Sequence, residues 1–141
     1  MKTYDSGYRG NCPHETVEQV TFFSWIRREY PDTYGAIAIH PRNEGKRRHG
    51  QAAWEKAEGM TKGAADIIIP ANPPFICELK RRDKTKSRIE KEQKEYLEAA
   101  DRCGAFVCVA YGYEQAKAAF LDYLKAPPKR GKKEGEIIAE P

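Results

Sequence analysis

Apolar residues recur along the chain with two different periods. From His14 to Tyr30 the spacing is helical, with Phe22, Phe23, Trp25 and Ile26 on one face, and it stops at Pro31. Ala36-Ile-Ala-Ile39 predicts a short strand, and Gln51 to Met60 a short helix closed by Thr61-Lys-Gly63. Two β-rich runs follow, Ala65-Asp-Ile-Ile-Ile69 and Phe75-Ile-Cys-Glu-Leu-Lys80, parted by the turn signal Pro70-Ala-Asn-Pro-Pro74. Beyond them the pattern predicts a charged helix from Ser87 to Arg102, a buried strand Ala105–Ala110 and an amphipathic helix Glu114–Lys125.

The order α-β-β-β-α-β-α implies an α/β domain, with a central mixed sheet flanked by helices. Residues 1–13 read as an irregular lead-in, 14–125 as a single domain and 126–141 as a basic flexible tail. A chain of 141 residues suits one such domain. With 40% hydrophobic and 33% charged residues, it can build a core under a densely charged surface. No run approaches the roughly 20 apolar residues that cross a bilayer, and the N-terminus has no apolar signal region. A soluble, cytoplasmic protein without membrane contact is expected. Cys12, Cys77, Cys103 and Cys108 form no C-x-x-C pair, and His14, His40 and His49 lack zinc-ligand spacing, so neither disulfides nor structural zinc are expected.

Charge changes the picture more than composition does. The net charge is +4, but Lys80–Lys94 alone holds eight basic residues against three acidic ones. A second cluster, Arg42-Asn-Glu-Gly-Lys-Arg-Arg-His49, holds four against one. Such runs are usually solvated surface; two that flank a carboxylate cluster invite a polyanion.

The carboxylates lie on the two β-runs. Alternation along Phe75–Lys80 puts Ile76, Glu78 and Lys80 on one face, with Glu78 and Lys80 about 7 Å apart. Asp66 opens the preceding run, and a hairpin between the runs brings it beside Glu78. Two carboxylates and an ammonium suit phosphodiester hydrolysis, because carboxylate oxygens are what Mg²⁺ or Mn²⁺ prefers. A salt-bridged Glu–Lys pair on a solvated face is the plain alternative. In the next helix Gln93 shares a stripe with Ile89, Tyr96, Leu97 and Ala100, either to cap a loop or to hold water or phosphate near Lys80. In the first helix Glu15 falls near the middle of the apolar face and Glu18 more to one side; Glu15 is the favoured helical ligand, although an acid in a first turn also suits the helix dipole.

Taken in order, Glu15-Thr-Val-Glu-Gln19, Asn43-Glu-Gly-Lys-Arg47, Lys62-Gly-Ala-Ala-Asp66, Glu78-Leu-Lys80 and Gln93-Lys-Glu-Tyr-Leu97 resemble the motifs of the VRR-NUC family in the PD-(D/E)XK nuclease superfamily. The resemblance runs from about Glu15 to Leu124. Two departures are Ala64-Ala65-Asp66, where the family often has Val-Pro-Asp, and Glu44 in place of a loop glycine.

The resemblance implies a PD-(D/E)XK nuclease-like core and a divalent-metal endonuclease acting on DNA. Glu15, Asp66, Glu78 and the Leu79 carbonyl would hold Mg²⁺ or Mn²⁺, Lys80 would serve the attacking water, and Gln93 would support the site. Small stand-alone members look like homodimeric cutters of branched DNA such as four-way (Holliday) junctions, which fits a bacterial or phage-infected cell and needs no nucleotide cofactor. The candidate DNA contacts are Arg42, Asn43, Lys46, Arg47, Arg48, Lys62, Arg81, Arg82, Lys84, Lys86 and Arg88. The competing readings are a nuclease of this fold with another task, restriction-type or end-processing, and a non-catalytic DNA-binding module.

Overall fold

The computed structural model describes residues 1–42 and 50–126. Asn43, Lys46, Arg47, Arg48 and the basic tail beyond residue 126 lie outside the described residues.

Among the described residues, four strands form one sheet in the order β1-β4-β3-β2. Strand β1 is Lys2–Tyr4, β2 Ile67–Ile69, β3 Phe75–Lys80 and β4 Phe106–Tyr111. Strands β1 and β3 flank β4 in parallel, whereas β2 runs antiparallel to β3, the hairpin that the proline-rich turn demands. Helices α1 (Glu15–Glu29) and α5 (Tyr113–Lys125) cover one face, packing Phe22, Trp25, Ile26 and Phe120 against Phe75, Cys77, Leu79 and Cys108. Helix α4 (Lys91–Arg102) covers the other, where Leu97 meets Ile76, Val107 and Val109. Strands β3 and β4 are buried on both faces, which is why their sequences read as nearly continuous apolar runs. Cys77 and Cys108 are register partners deep in this core, and both are free thiols.

Several elements differ from the sequence reading. Lys2–Tyr4 is a strand inside the supposed irregular lead-in; three residues are too few to show a period, and only pairing with β4 defines them. The strand expected at Ala36–Ile39 is mostly the short helix α2 (Tyr34–Ile37), and Ile39 alone bridges to Ile68. Gly35 decides this. A Cβ there would lie 2.4 Å from the Ile26 carbonyl oxygen, so only glycine lets this turn sit on the end of α1. Helix α3 covers Gln51–Ala57 and stops short of Met60. The helix expected from Ser87 begins at Lys91, because Glu90 and Gln93 form a reciprocal capping box there. Ahead of it, Asp83 caps a single 3-10 turn at Lys84–Lys86.

Candidate active site

Strand β3 carries the centre of the site. Its odd-numbered residues enter the α1–α5 core, so Glu78 and Lys80 point with Ile76 toward α4. Both are buried, at 1% and 4% exposure, and Lys80 Nζ lies 3.6 Å from Glu78 Oε2. This excludes the solvated surface pair. Lys80 Nζ also donates to Gln93 Oε1 at 3.3 Å, and that same oxygen accepts the Glu90 main-chain N–H at 2.8 Å. Of the two roles the sequence left open, Gln93 takes that of a cap, at the start of α4 rather than in a loop, and the same amide oxygen also steadies Lys80.

Asp66 sits just before β2, where the ladder with β3 has ended. The Leu79 N–H, left without a strand opposite it, donates to Asp66 Oδ2 at 2.9 Å. This turns the carboxyl of Asp66 toward Glu78, within hydrogen-bonding reach. His40 Nδ1 contacts the Asp66 main-chain oxygen at 2.8 Å. Beside these groups a cavity of about 220 Å³ opens between His40, Lys62, Gly63, Asp66, Glu90 and Gln93. A larger groove of about 670 Å³ between α3 and α4 shares Lys62 and Glu92 with it but holds no member of the carboxyl cluster.

The two acids of α1 separate cleanly. Glu18 lies on the buried stripe with Phe22, Trp25 and Ile26, not to one side of it, and its Oε1 accepts the Tyr113 N–H at 2.9 Å. It caps α5, whose own N-cap is Gly112 and has no side chain to offer. Glu15, one turn earlier and half-buried, reaches the electrostatic field of Asp66, Lys80 and Arg81.

Three carboxyls so placed resist ionisation together. Burial first, then the charge of Asp66, push Glu78 up to about 9 despite Lys80. Burial also raises Asp66, against the opposing pull of the Leu79 amide, and raises Glu15, against the pull of Lys80. Glu78 Oε1 is buried with no hydrogen-bond partner among the described residues. An orphaned carboxylate oxygen beside a second carboxyl fits a hard cation. Among the described residues, no three His, Cys, Asp or Glu side chains close around one point.

The basic residues divide by what they already hold. Arg81 donates to the carbonyls of Cys12 and Pro13, at 2.8 and 3.1 Å, and Arg82 stacks over Tyr8. Lys84 lies 3.9 Å from Asp5, and Arg88 donates to Glu90 at 2.8 Å. Arg81, Arg82 and Lys84 thus tie the N-terminal segment to the end of the sheet, a job invisible in a charge count. Lys62 is exposed and 3.7 Å from Glu92; Lys86 and Arg42 are exposed too. Three residues escaped the sequence reading: Glu18 as a cap, Asp83 as a clip and His40 as a contact to Asp66. Only the position of His40, at the end of a β-like run and before a proline, was a usable signal.

Among solved structures, a similar fold is found over nearly the whole length of another chain. It is a VRR_NUC domain protein, superposing with a TM-score of 0.69 over 88% of this chain and 98% of that one. The chain has the VRR_NUC fold. Sequence identity over that match is only 21%, so the likeness is one of architecture. No family model matches the chain, and no curated protein does. Within the VRR_NUC fold of this chain, β3 supplies Glu78 and Lys80, the approach to β2 supplies Asp66, and α4 supplies Gln93.

Proposed function

We propose that the chain is a divalent-metal-dependent DNA endonuclease. The observation that carries this reading is the buried Asp66–Glu78–Lys80 cluster with its unpartnered Glu78 oxygen, set in the fold of a VRR_NUC domain protein. Asp66, Glu78 and the Leu79 carbonyl would hold Mg²⁺ or Mn²⁺, and Glu15, which does not close around one point with the other two carboxyls, would reach the ion through its waters. When bound, such an ion neutralises phosphate charge and acidifies a coordinated water.

The chain's own residues have separable tasks. Lys80, fixed between Glu78 and Gln93, places an ammonium where a phosphoryl oxygen gathers charge or where the attacking water must be oriented. Exposed Arg42, Lys62 and Lys86 offer contacts to flanking phosphates, which position a duplex without reading its sequence. Branched DNA, such as a four-way junction, cut by a homodimer is the proposed mode, because two-strand cleavage needs two sites and each chain offers one. The proposed setting is the cytoplasm of a bacterial or phage-infected cell; no helix of the described residues is long and apolar enough to cross a membrane.

The test uses labelled four-way junction, flap, single-stranded and linear duplex DNA with Mg²⁺, Mn²⁺ or EDTA. Metal-dependent junction cleavage, lost in Lys80→Ala and Asp66→Asn, is the expected result. Equal cutting of all substrates discards the branched preference. Binding without cleavage in either metal leaves a DNA-binding module as the better account.

A further inference from the structure

The approach to β2 contains a missing hydrogen bond with a replacement. Ile39 and Ile68 exchange both main-chain hydrogen bonds, each at 2.9 Å, so they form a hydrogen-bonded antiparallel pair. Two residues further along that ladder, position 41 faces position 66, and a regular strand would send its N–H to the Asp66 carbonyl. Residue 41 is proline and has no N–H to send. The His40 side chain makes the contact instead, Nδ1 to Asp66 O, at 2.8 Å.

A carbonyl oxygen can only accept, so Nδ1 carries the hydrogen. Asp66 is then gripped at both ends, its main chain by His40 and its carboxyl by the Leu79 N–H.

We propose that His40 is a positioning residue, holding the Asp66 main chain so that the Asp66 carboxyl stays on the Leu79 amide beside Glu78. The assignment of this contact to catalysis rests on the nuclease reading above; the contact itself does not. It gives His40 a purpose that no zinc-like spacing predicts, and it makes His40-Pro41 a unit in which the second residue creates the need that the first fills.

The Leu79 amide reports the placement of the Asp66 carboxyl without any metal. Long-range proton–nitrogen NMR of the wild-type chain should show His40 with a protonated Nδ1. In His40→Ala, exchange of the Leu79 amide should accelerate about tenfold, the scale of one lost hydrogen bond. Mn²⁺ affinity, measured by calorimetry, should fall about tenfold or more, as when a residue orienting a ligand is lost. His40→Asn, whose amide N–H reaches the place of Nδ1–H, should preserve both values, and it keeps the test open if the alanine variant folds poorly. The double variant His40→Ala, Pro41→Ala restores a main-chain N–H at position 41 and should recover part of the Leu79 protection. An unchanged Leu79 amide in His40→Ala, or a bare Nδ1 in the wild type, overturns the proposal. A wild-type chain that takes up no Mn²⁺ overturns the nuclease reading and this role within it; the Leu79 amide distinguishes that failure from failure of the contact.

Discussion

Lys80 Nζ and the Glu90 main-chain N–H share one acceptor, Gln93 Oε1, at 3.3 and 2.8 Å. A helix start and a buried ammonium are thereby set by the same amide. Gln93→Ala should lose about 1 kcal/mol of stability through the broken capping box, together with nuclease activity. Gln93→Glu keeps the acceptor and should keep the stability. Chemical denaturation and cleavage assays on both variants check this, and a Gln93→Ala chain as stable as wild type would refute the capping role.

Glu15 and Glu18 share a helix face but should fail in different ways. Glu18→Ala removes the cap on Tyr113 and should cost about 1 kcal/mol. Glu15→Ala should leave the melting temperature nearly unchanged while weakening Mn²⁺ binding. Calorimetry and thermal melts on the two variants separate them, and the reverse pattern would exchange their roles.

The carboxyl cluster predicts an unusual pH response. Glu78 stands near 9 in the folded chain, well above its ordinary value of 4.5, because burial favours its protonated form. Its contribution to stability is therefore fully present below 4.5 and is lost as pH rises through about 9. In EDTA the melting temperature should fall over that range, and Glu78→Gln should flatten the fall. Mn²⁺ should restore most stability at the alkaline end, because a cation favours the ionised carboxylate.

Asp83 carries the opposite sign. Its hydrogen bond from Thr85, and then that from the Gly10 N–H, hold its carboxyl down at about 2, below the ordinary 3.8. The stability it contributes is present above 3.8 and is lost as pH falls through about 2. Asp83→Asn should release the segment around Gly10, seen as faster amide exchange at Gly10 near neutral pH. Unaltered exchange there would rule out the clip.

Gly63 has a φ of +83°, and a Cβ on it would lie 2.5 Å from the Glu92 carbonyl group at the start of α4. Gly63→Ala should cost more than the roughly 1 kcal/mol of an ordinary glycine exchange, because backbone must move as well. A thermal melt indistinguishable from wild type would refute that close approach.

The hydrophobic pattern by itself determined the layers: the doubly buried β3 and β4, the proline-punctuated β2–β3 hairpin, and α1, α4 and α5. Apart from β2, which its apolar run and the proline turn beside it mark, those elements are long enough for a pattern to show, and strand alternation placed Glu78 and Lys80 on one face. Tertiary structure decided what no local period encodes. Strand β1 exists only because β4 offers an edge, and α2 replaced a strand because Gly35 fits against α1. Partnership was equally hidden: Glu18 caps a helix 95 residues away, while Arg81 and Asp83 hold the N-terminal segment. A charge or an acid in the sequence states what a side chain can bond to; only the folded chain determines which donors come within reach of it, and burial then sets how strongly it must be satisfied.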